Sequence, residues 1–318
     1  ESTRTVMGKK ISFALNFILF YGIVFPLSLL PLKVIYFITD ILYLLLRFVF
    51  PYRQKVIQKN ISLSFPNLSK EEHLKLQHQF YRHFTDLLAE SIKNISISKK
   101  ELQKRFTFNN PELVNELFIK GKNVILVSGH YNNWEWMITS QALGLNHFAI
   151  GIGMPLKNGF WDKVLNARRG RFGMTIGSSA NIHTLFENHP APYATLLLSD
   201  QSPGDERKSF WMTFLNQPTP VIFGCEYLAH QYNQAVVYFE ILKTKRGYYE
   251  VNFKTICEDP AEMKWGEITK AHTTLLEQTI LREPAYWLWS HNRWKKAVPK
   301  DLELLREKQR ESFEKKFN

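Results

Sequence analysis

The chain is poor in cysteine: 318 residues contain two, Cys225 and Cys257, at a spacing that matches no metal-ligand or redox motif. That argues against a disulfide scaffold and reads as reduced thiols facing a cytoplasmic environment. Neither cysteine lies at a strand-to-helix turn, and no Gly-x-Ser-x-Gly elbow occurs, so a covalent nucleophile of that kind is missing. Nucleotide-binding and metal-binding motifs are missing too, as are internal repeats and low-complexity linkers. Negative charge is scarce: 29 Asp plus Glu face 41 Lys plus Arg, a net charge of +12. The excess favours an anionic partner, whether nucleic acid, an anionic lipid surface or a phosphorylated substrate. Of these, nucleic acid is the weakest, because the charge is spread along the chain and no recognition motif accompanies it.

Apolar residues, by contrast, are plentiful at 45%, enough for a sizeable core in one large domain or two small ones. They crowd the beginning of the chain. Ile11 to Leu30 reads ISFALNFILFYGIVFPLSLL without a charge, about the length that crosses a bilayer core. A second run, Val34 to Phe50, contains Asp40 and Arg47 and is a better interfacial or partly buried helix. Basic residues flank the pair: Arg4, Lys9 and Lys10 before, then Arg53, Lys55 and Lys59 after. A hairpin through Pro31 and Lys33 would leave both ends in the cytoplasm. A cleaved leader is disfavoured, since no small-residue cleavage site follows and apolar character continues to Phe50. The expected division is therefore an anchor over 1–52, a catalytic domain over 53–298 and a charged helix or tail over 299–318.

From Tyr52 to about Ile97 the pattern is helical. Ser69 is placed to cap, Glu71 and Glu72 sit in the first turn, and Leu74, Leu76, Phe80, Phe84, Leu87 and Leu88 recur at helical spacing. Asn110-Pro111 opens another helix that Gly121 closes. The period then changes. Short apolar runs at 123–127, 147–152, 194–199, 235–242 and 248–255 read as strands, separated by helical stretches at 159–169, 180–188 and 221–232. That alternation predicts an α/β fold, a mixed central sheet flanked by helices with later strands antiparallel.

The first strand runs into Ser128-Gly129-His130, and ligands of α/β sheets collect at the carboxyl ends of strands. His130 and Glu135 are five residues apart, a rotation of about 140° on one helix, so they would diverge there. With His130 in the turn and Glu135 in the first helical turn, the carboxylate can reach back to one imidazole nitrogen. Such a carboxylate fixes the tautomer, frees the other nitrogen as a general base and stabilises the imidazolium. The base then activates a hydroxyl and later protonates a thiol leaving group. Amides near Asn133 and Trp134, or a nearby arginine, are placed to meet the oxyanion.

A lone His and Glu at this spacing often arise by chance, and the surrounding blocks carry more weight. Ser128-Gly129-His130-Tyr131-Asn132-Asn133-Trp134-Glu135 resembles the signature of bacterial lipid A and lysophospholipid acyltransferases, in which His, four residues, and Asp or Glu (here HX4E) form the dyad. Arg53 to Pro66, Pro155-Leu156-Lys157-Asn158 with Arg168, Arg171 and Gly173, Ser199-Asp200-Gln201-Ser202-Pro203, and Pro284 to Lys295 resemble that family's other blocks in the same order. One departure stands out: Asn132 occupies a position where the family often has Gly, either crowding the turn or adding a donor to the acyl carbonyl.

The resemblance implies a glycerol-phosphate-acyltransferase-like fold and an enzyme of the EC 2.3.1 class. It implies acyl transfer from an acyl carrier protein or coenzyme A thioester, without cofactor or metal, to an anionic lipid acceptor at the cytoplasmic face of a bacterial inner membrane. Asn132, Asn133, Arg168, Arg171, Asp200 and Gln201 are candidate substrate-binding residues. The guanidinium forks suit phosphate or oxyanion, and equally suit a solvated helix face; Asp200 and Gln201 bind substrate or close a turn. Tyr286, Trp287, Trp289 and Trp294 suit core and interface packing, and His291 a structural role. The acceptor is a lipid A precursor, or alternatively a lysophospholipid or lyso-aminolipid. Two further alternatives are a non-catalytic membrane scaffold and a thioesterase, whose wet site sits poorly with a membrane-facing mouth.

Overall fold

The computed structural model describes residues 12–317. It opens on α1 (Ser12–Leu29), the one helix among the described residues long and apolar enough to cross a membrane. Pro31 then caps α2 (Leu32–Phe48). Next come α3 (Gln54–Ser64), α4 (Lys70–Asn94), α5 (Lys99–Arg105), β1 (Phe106–Phe108) and α6 (Glu112–Ile119). The alternating part follows: β2 (Val124–Ser128), α7 (Trp134–Gly144), β3 (Phe148–Gly153), α8 (Gly159–Arg169), β4 (Met174–Ser178), α9 (Ile182–Asn188) and β5 (Tyr193–Leu198). The chain ends with β6 (Phe210–Phe214), β7 (Gln217–Val221), α10 (Gly224–Tyr232), β8 (Ala235–Lys245), β9 (Tyr248–Cys257), α11 (Glu267–Arg282) and α12 (Leu302–Phe317).

Seven strands form one mixed sheet in the order β1-β9-β8-β2-β5-β3-β4, with β6 and β7 a separate antiparallel pair. The β8–β9 hairpin supplies the antiparallel step, and β8, β2, β5, β3 and β4 run parallel. The five residues of β2 are buried on both faces, which is why it reads as a continuous apolar run rather than an alternating one. Val124 and Leu126 enter the core shared with α2, α5, α6 and α7, while Ile125 and Val127 enter the core shared with α9 and α10. A third cluster, with Ile57, Phe80, Trp287 and Trp289, closes the carboxyl end of the sheet beneath α3 and α4.

The expected helix starts and stops are present. Ser69 and Glu72 form a reciprocal capping box at α4. Gly121 takes φ +70° after α6. Asn110 does not cap that helix; its amide brackets Phe253 of β9 through both N–H and C=O. The short strands β1, β4, β6 and β7 lie outside the five runs read from the sequence. The apolar beginning of the chain is docked onto the rest. Lys93 donates to the carbonyls of Ser28 and Leu30, and Ser96 to that of Ser28, so the end of α4 and the turn after it satisfy the carboxyl end of α1. Leu32, Ile35 and Tyr36 of α2 belong to the same core as the sheet. Asp40, the one acid in the second apolar run, is half-buried and paired with Arg82 and Arg246.

Candidate active site

The register of the central strands builds the site. Ser128, the last residue of β2, pairs with Leu198, the last of β5. Two residues beyond each end, His130 and Asp200 therefore stand side by side. Asp200 Oδ1 lies 2.6 Å from His130 Nδ1, and Asp200 Oδ2 accepts the His130 backbone N–H at 2.8 Å. The Trp287 indole N–H also donates to Oδ2, at 2.8 Å. Burial alone would raise the Asp200 carboxyl; the His130 ring, the Trp287 indole and the His130 amide outweigh it and hold it at about 2. An ionised acceptor on Nδ1 places the ring proton there and leaves Nε2 with its lone pair.

The close approach requires Gly129. A Cβ there would lie 2.6 Å from Leu276 Cδ2 and 2.9 Å from both Asp200 Cγ and Oδ2. The far side of the imidazole meets Gln201, whose side-chain nitrogen is 3.2 Å from Nε2. With Nε2 unprotonated, the amide N–H donates to it. The Trp134 ring packs edge-on against His130 with centroids 5.1 Å apart. The imidazole remains 17% exposed, whereas the Asp200 side chain is 3% exposed.

Glu135 does not reach the imidazole. It occupies the first turn of α7 and forms a two-pronged pair with Arg169 at the end of α8, at 2.6 and 2.9 Å. The spacing expects Glu135 at the imidazole; the strand register instead brings Asp200 there from across the sheet. Arg169, adjacent to the two arginines read from the sequence, is the one that joins the site. Burial opposes its charge, and the Glu135 carboxylate more than offsets this, holding the guanidinium above its ordinary value. Arg168 instead lies over the Phe25 ring of α1. Arg171 donates to the carbonyls of Arg168 and Ile97, and burial beside Arg168 lowers it to about 10.

Both asparagines of the turn face inward. Asn132 has φ +52°, the left-handed region that Gly and Asn tolerate best, which accounts for Asn at a position where the resembling sequences often carry Gly. Its side chain donates to the Ile241 carbonyl. Asn133 caps α7 through Trp136 N–H and donates to Glu90. The Trp134 amide is used by the Asn132 carbonyl at 3.2 Å. His291 accepts the Ser202 amide at Nε2, and burial holds its imidazole down to about 4, a neutral strut under the Asp200 loop. Among the described residues no group of three or more His, Cys, Asp or Glu is arranged to hold a metal.

Residues 8–296 match the bacterial lipid A biosynthesis acyltransferase family. The chain belongs to that family. No curated protein sequence matches the chain. In this acyltransferase the match takes in the apolar helices, the His130 turn, Asp200 and the Trp287 segment together. The aromatic block at 284–295 thus does more than pack: Trp287 hydrogen-bonds the carboxylate that holds the histidine. Sequence reasoning missed Trp287 and Arg169 as site residues. Only the strand pairing and the helix orientation bring them in.

Proposed function

We propose that the enzyme is a membrane-bound O-acyltransferase that moves a fatty acyl chain from an acyl carrier protein or coenzyme A thioester to a hydroxyl of a lipid A precursor, with His130 as general base. The observation that carries this reading is the Asp200–His130 pair, with Nδ1 engaged and Nε2 turned to a movable amide. The acceptor hydroxyl displaces Gln201 from Nε2, gives up its proton there, and its oxygen attacks the thioester carbonyl. Asp200 stays ionised and stabilises the imidazolium. Collapse of the tetrahedral intermediate expels the sulfur, which takes the proton back from Nε2.

Glu135 acts through Arg169 in this scheme. The bidentate pair fixes the guanidinium one residue from Trp134, where it can meet the negative charge developing on the carbonyl oxygen. This replaces the role first read for Glu135, as orienter of the imidazole. Membrane attachment is supported by the outward faces of α1 and α2 and by the turn just after α2, where Phe13, Leu15, Ile18, Phe37, Phe48 and Phe50 are exposed. An apolar surface of that extent beside a site for lipid marks a membrane contact.

The test is mass spectrometry of total lipids from cells with and without the gene. A lipid A species short by one acyl chain in the deleted strain is the expected result. A shift confined to phospholipids or aminolipids would assign a different acceptor, and an unchanged lipid profile would contradict acyl transfer.

A further inference from the structure

Behind the catalytic turn lies a carboxylate that the proposed chemistry does not use. Glu90, in α4, is fully buried. Its Oε2 accepts the Asn133 side-chain N–H at 2.6 Å and the Tyr249 hydroxyl at 2.8 Å, and its Oε1 accepts the Tyr36 hydroxyl at 2.5 Å. Its backbone carbonyl takes the Trp136 indole N–H at 3.3 Å. Three side-chain donors converge on two oxygens, an arrangement that suits a carboxylate and that neither a carboxamide nor a hydroxyl can reproduce. Removal from water raises the carboxyl to about 7, against the lowering by Tyr36 and Tyr249.

The donors come from three places: Tyr36 from the apolar helix α2, Tyr249 from β9, and Asn133 from the cap of α7. Asn133 uses its other side-chain atom to hold the Trp136 amide, so its orientation is set at both ends. A negative charge beside that cap also complements the partial positive charge of the helix start. The cap Asn133 lies three residues after His130 and α7 carries Glu135, so the direction of this cap determines where the Glu135–Arg169 pair stands relative to the imidazole.

We propose that Glu90 is a positioning residue, a buried carboxylate that locks the catalytic turn to the membrane-facing helix α2 by holding Asn133 and Tyr36 at once. The inference rests on the reading of His130 as the base. It predicts that the polarity of the Glu90–Asn133 bond, more than the volume at either position, governs turnover, because small displacements of catalytic groups are costly.

The experiment compares Glu90→Gln, Asn133→Asp and the combined Glu90→Gln/Asn133→Asp protein with the wild type in steady-state acyl transfer, with thermal melting recorded for each. Glu90→Gln leaves one acceptor oxygen, so the amide can accept from Asn133 or from Tyr36 but not from both as the carboxylate does; Asn133→Asp sets carboxylate against carboxylate. Each single variant is expected to lower kcat about tenfold or more at a KM within about twofold. The combined protein restores a donor facing an acceptor and keeps an acid at the cap, and recovers most of the lost kcat. Wild-type kcat in Glu90→Gln, or a combined variant no better than the singles, overturns the proposal. Should the Glu90 variants fail to melt cooperatively, Tyr36→Phe removes one hydroxyl with little change in packing: a lowered kcat at unchanged KM supports the lock, and an unchanged kcat overturns it. His130→Ala, run alongside, separates the two readings. If it retains wild-type turnover, the site assignment has failed; if it is inactive while Glu90→Gln is normal, only the Glu90 proposal has.

Discussion

His130 and Asp200 are 70 residues apart in sequence and 2.6 Å apart in the fold, joined Nδ1 to Oδ1 at the ends of two neighbouring parallel strands. Glu135, five residues from His130, is held by Arg169. Asp200→Asn should therefore cost more activity than Glu135→Gln. By analogy with other carboxylate-oriented histidines, losing the acceptor on Nδ1 lowers kcat on the order of a thousandfold or more. Glu135→Gln frees Arg169 and is expected to cost about tenfold to a hundredfold, with Arg169→Lys similar, since lysine lacks the bidentate fork. Steady-state kinetics on the three variants orders them, and the reverse ordering would return the orienting role to Glu135.

Gly129→Ala tests the same relationship from the backbone. Its Cβ would fall within 2.9 Å of Asp200 Cγ and 2.6 Å of Leu276 Cδ2, so the carboxylate must move away from the ring. Activity should drop together with a loss of about 1–3 kcal/mol of stability from overpacking, measured by denaturant unfolding. An unperturbed, active Gly129→Ala protein would mean that the tight turn is unnecessary.

The acid limb of the stability curve carries a signature of Asp200. Its carboxyl is held at about 2 in the folded chain against an ordinary value of 3.8. A depressed carboxyl stabilises the fold above its unfolded value, and that contribution is lost as pH falls from about 3.8 through about 2. Asp200→Asn should accordingly be less stable than wild type near neutrality, with the gap narrowing across this window. Melting curves of both proteins from pH 7 to pH 2 check the sign; a gap that widens on acidification would contradict it.

How much of this could be read from the chain alone depends on which interactions are local. The capping box at Ser69 and the apolar run of β2 are short-range patterns, and both stand where the spacing put them. Helix α8 keeps its bounds, Gly159–Arg169. Asp200 and Gln201 were legible as a turn after a strand, but their contact with His130 depends on β5 lying beside β2, which no local pattern encodes. Arg169 differs from Arg168 only by a rotation of about 100° on the helix, and that rotation decides which one faces α7. The polar residues of α2 are legible in hindsight. Asp40 and Tyr36 interrupt an apolar stretch because they face Arg246 and Glu90 rather than the outside of the helix.

The end of α2 and the turn that follows it test the proposed membrane contact independently of the chemistry. Phe48 and Phe50 are 69% and 72% exposed, so Phe48→Ser/Phe50→Ser removes apolar surface without opening a cavity. Weaker pelleting with vesicles of mixed anionic lipid and an unchanged melting temperature are expected, because surface substitutions of this kind are usually within about 0.5 kcal/mol. Full retention on the vesicles would remove this face from the contact.

The most direct test of the account is single-turnover transfer of a labelled acyl group from a thioester donor to a lipid A precursor, by detergent-purified wild-type and His130→Ala proteins of equal melting temperature. With His130 as the base, labelled acylated lipid is expected with the wild type and none above the uncatalysed rate with His130→Ala. Transfer at the wild-type rate without the imidazole would contradict it.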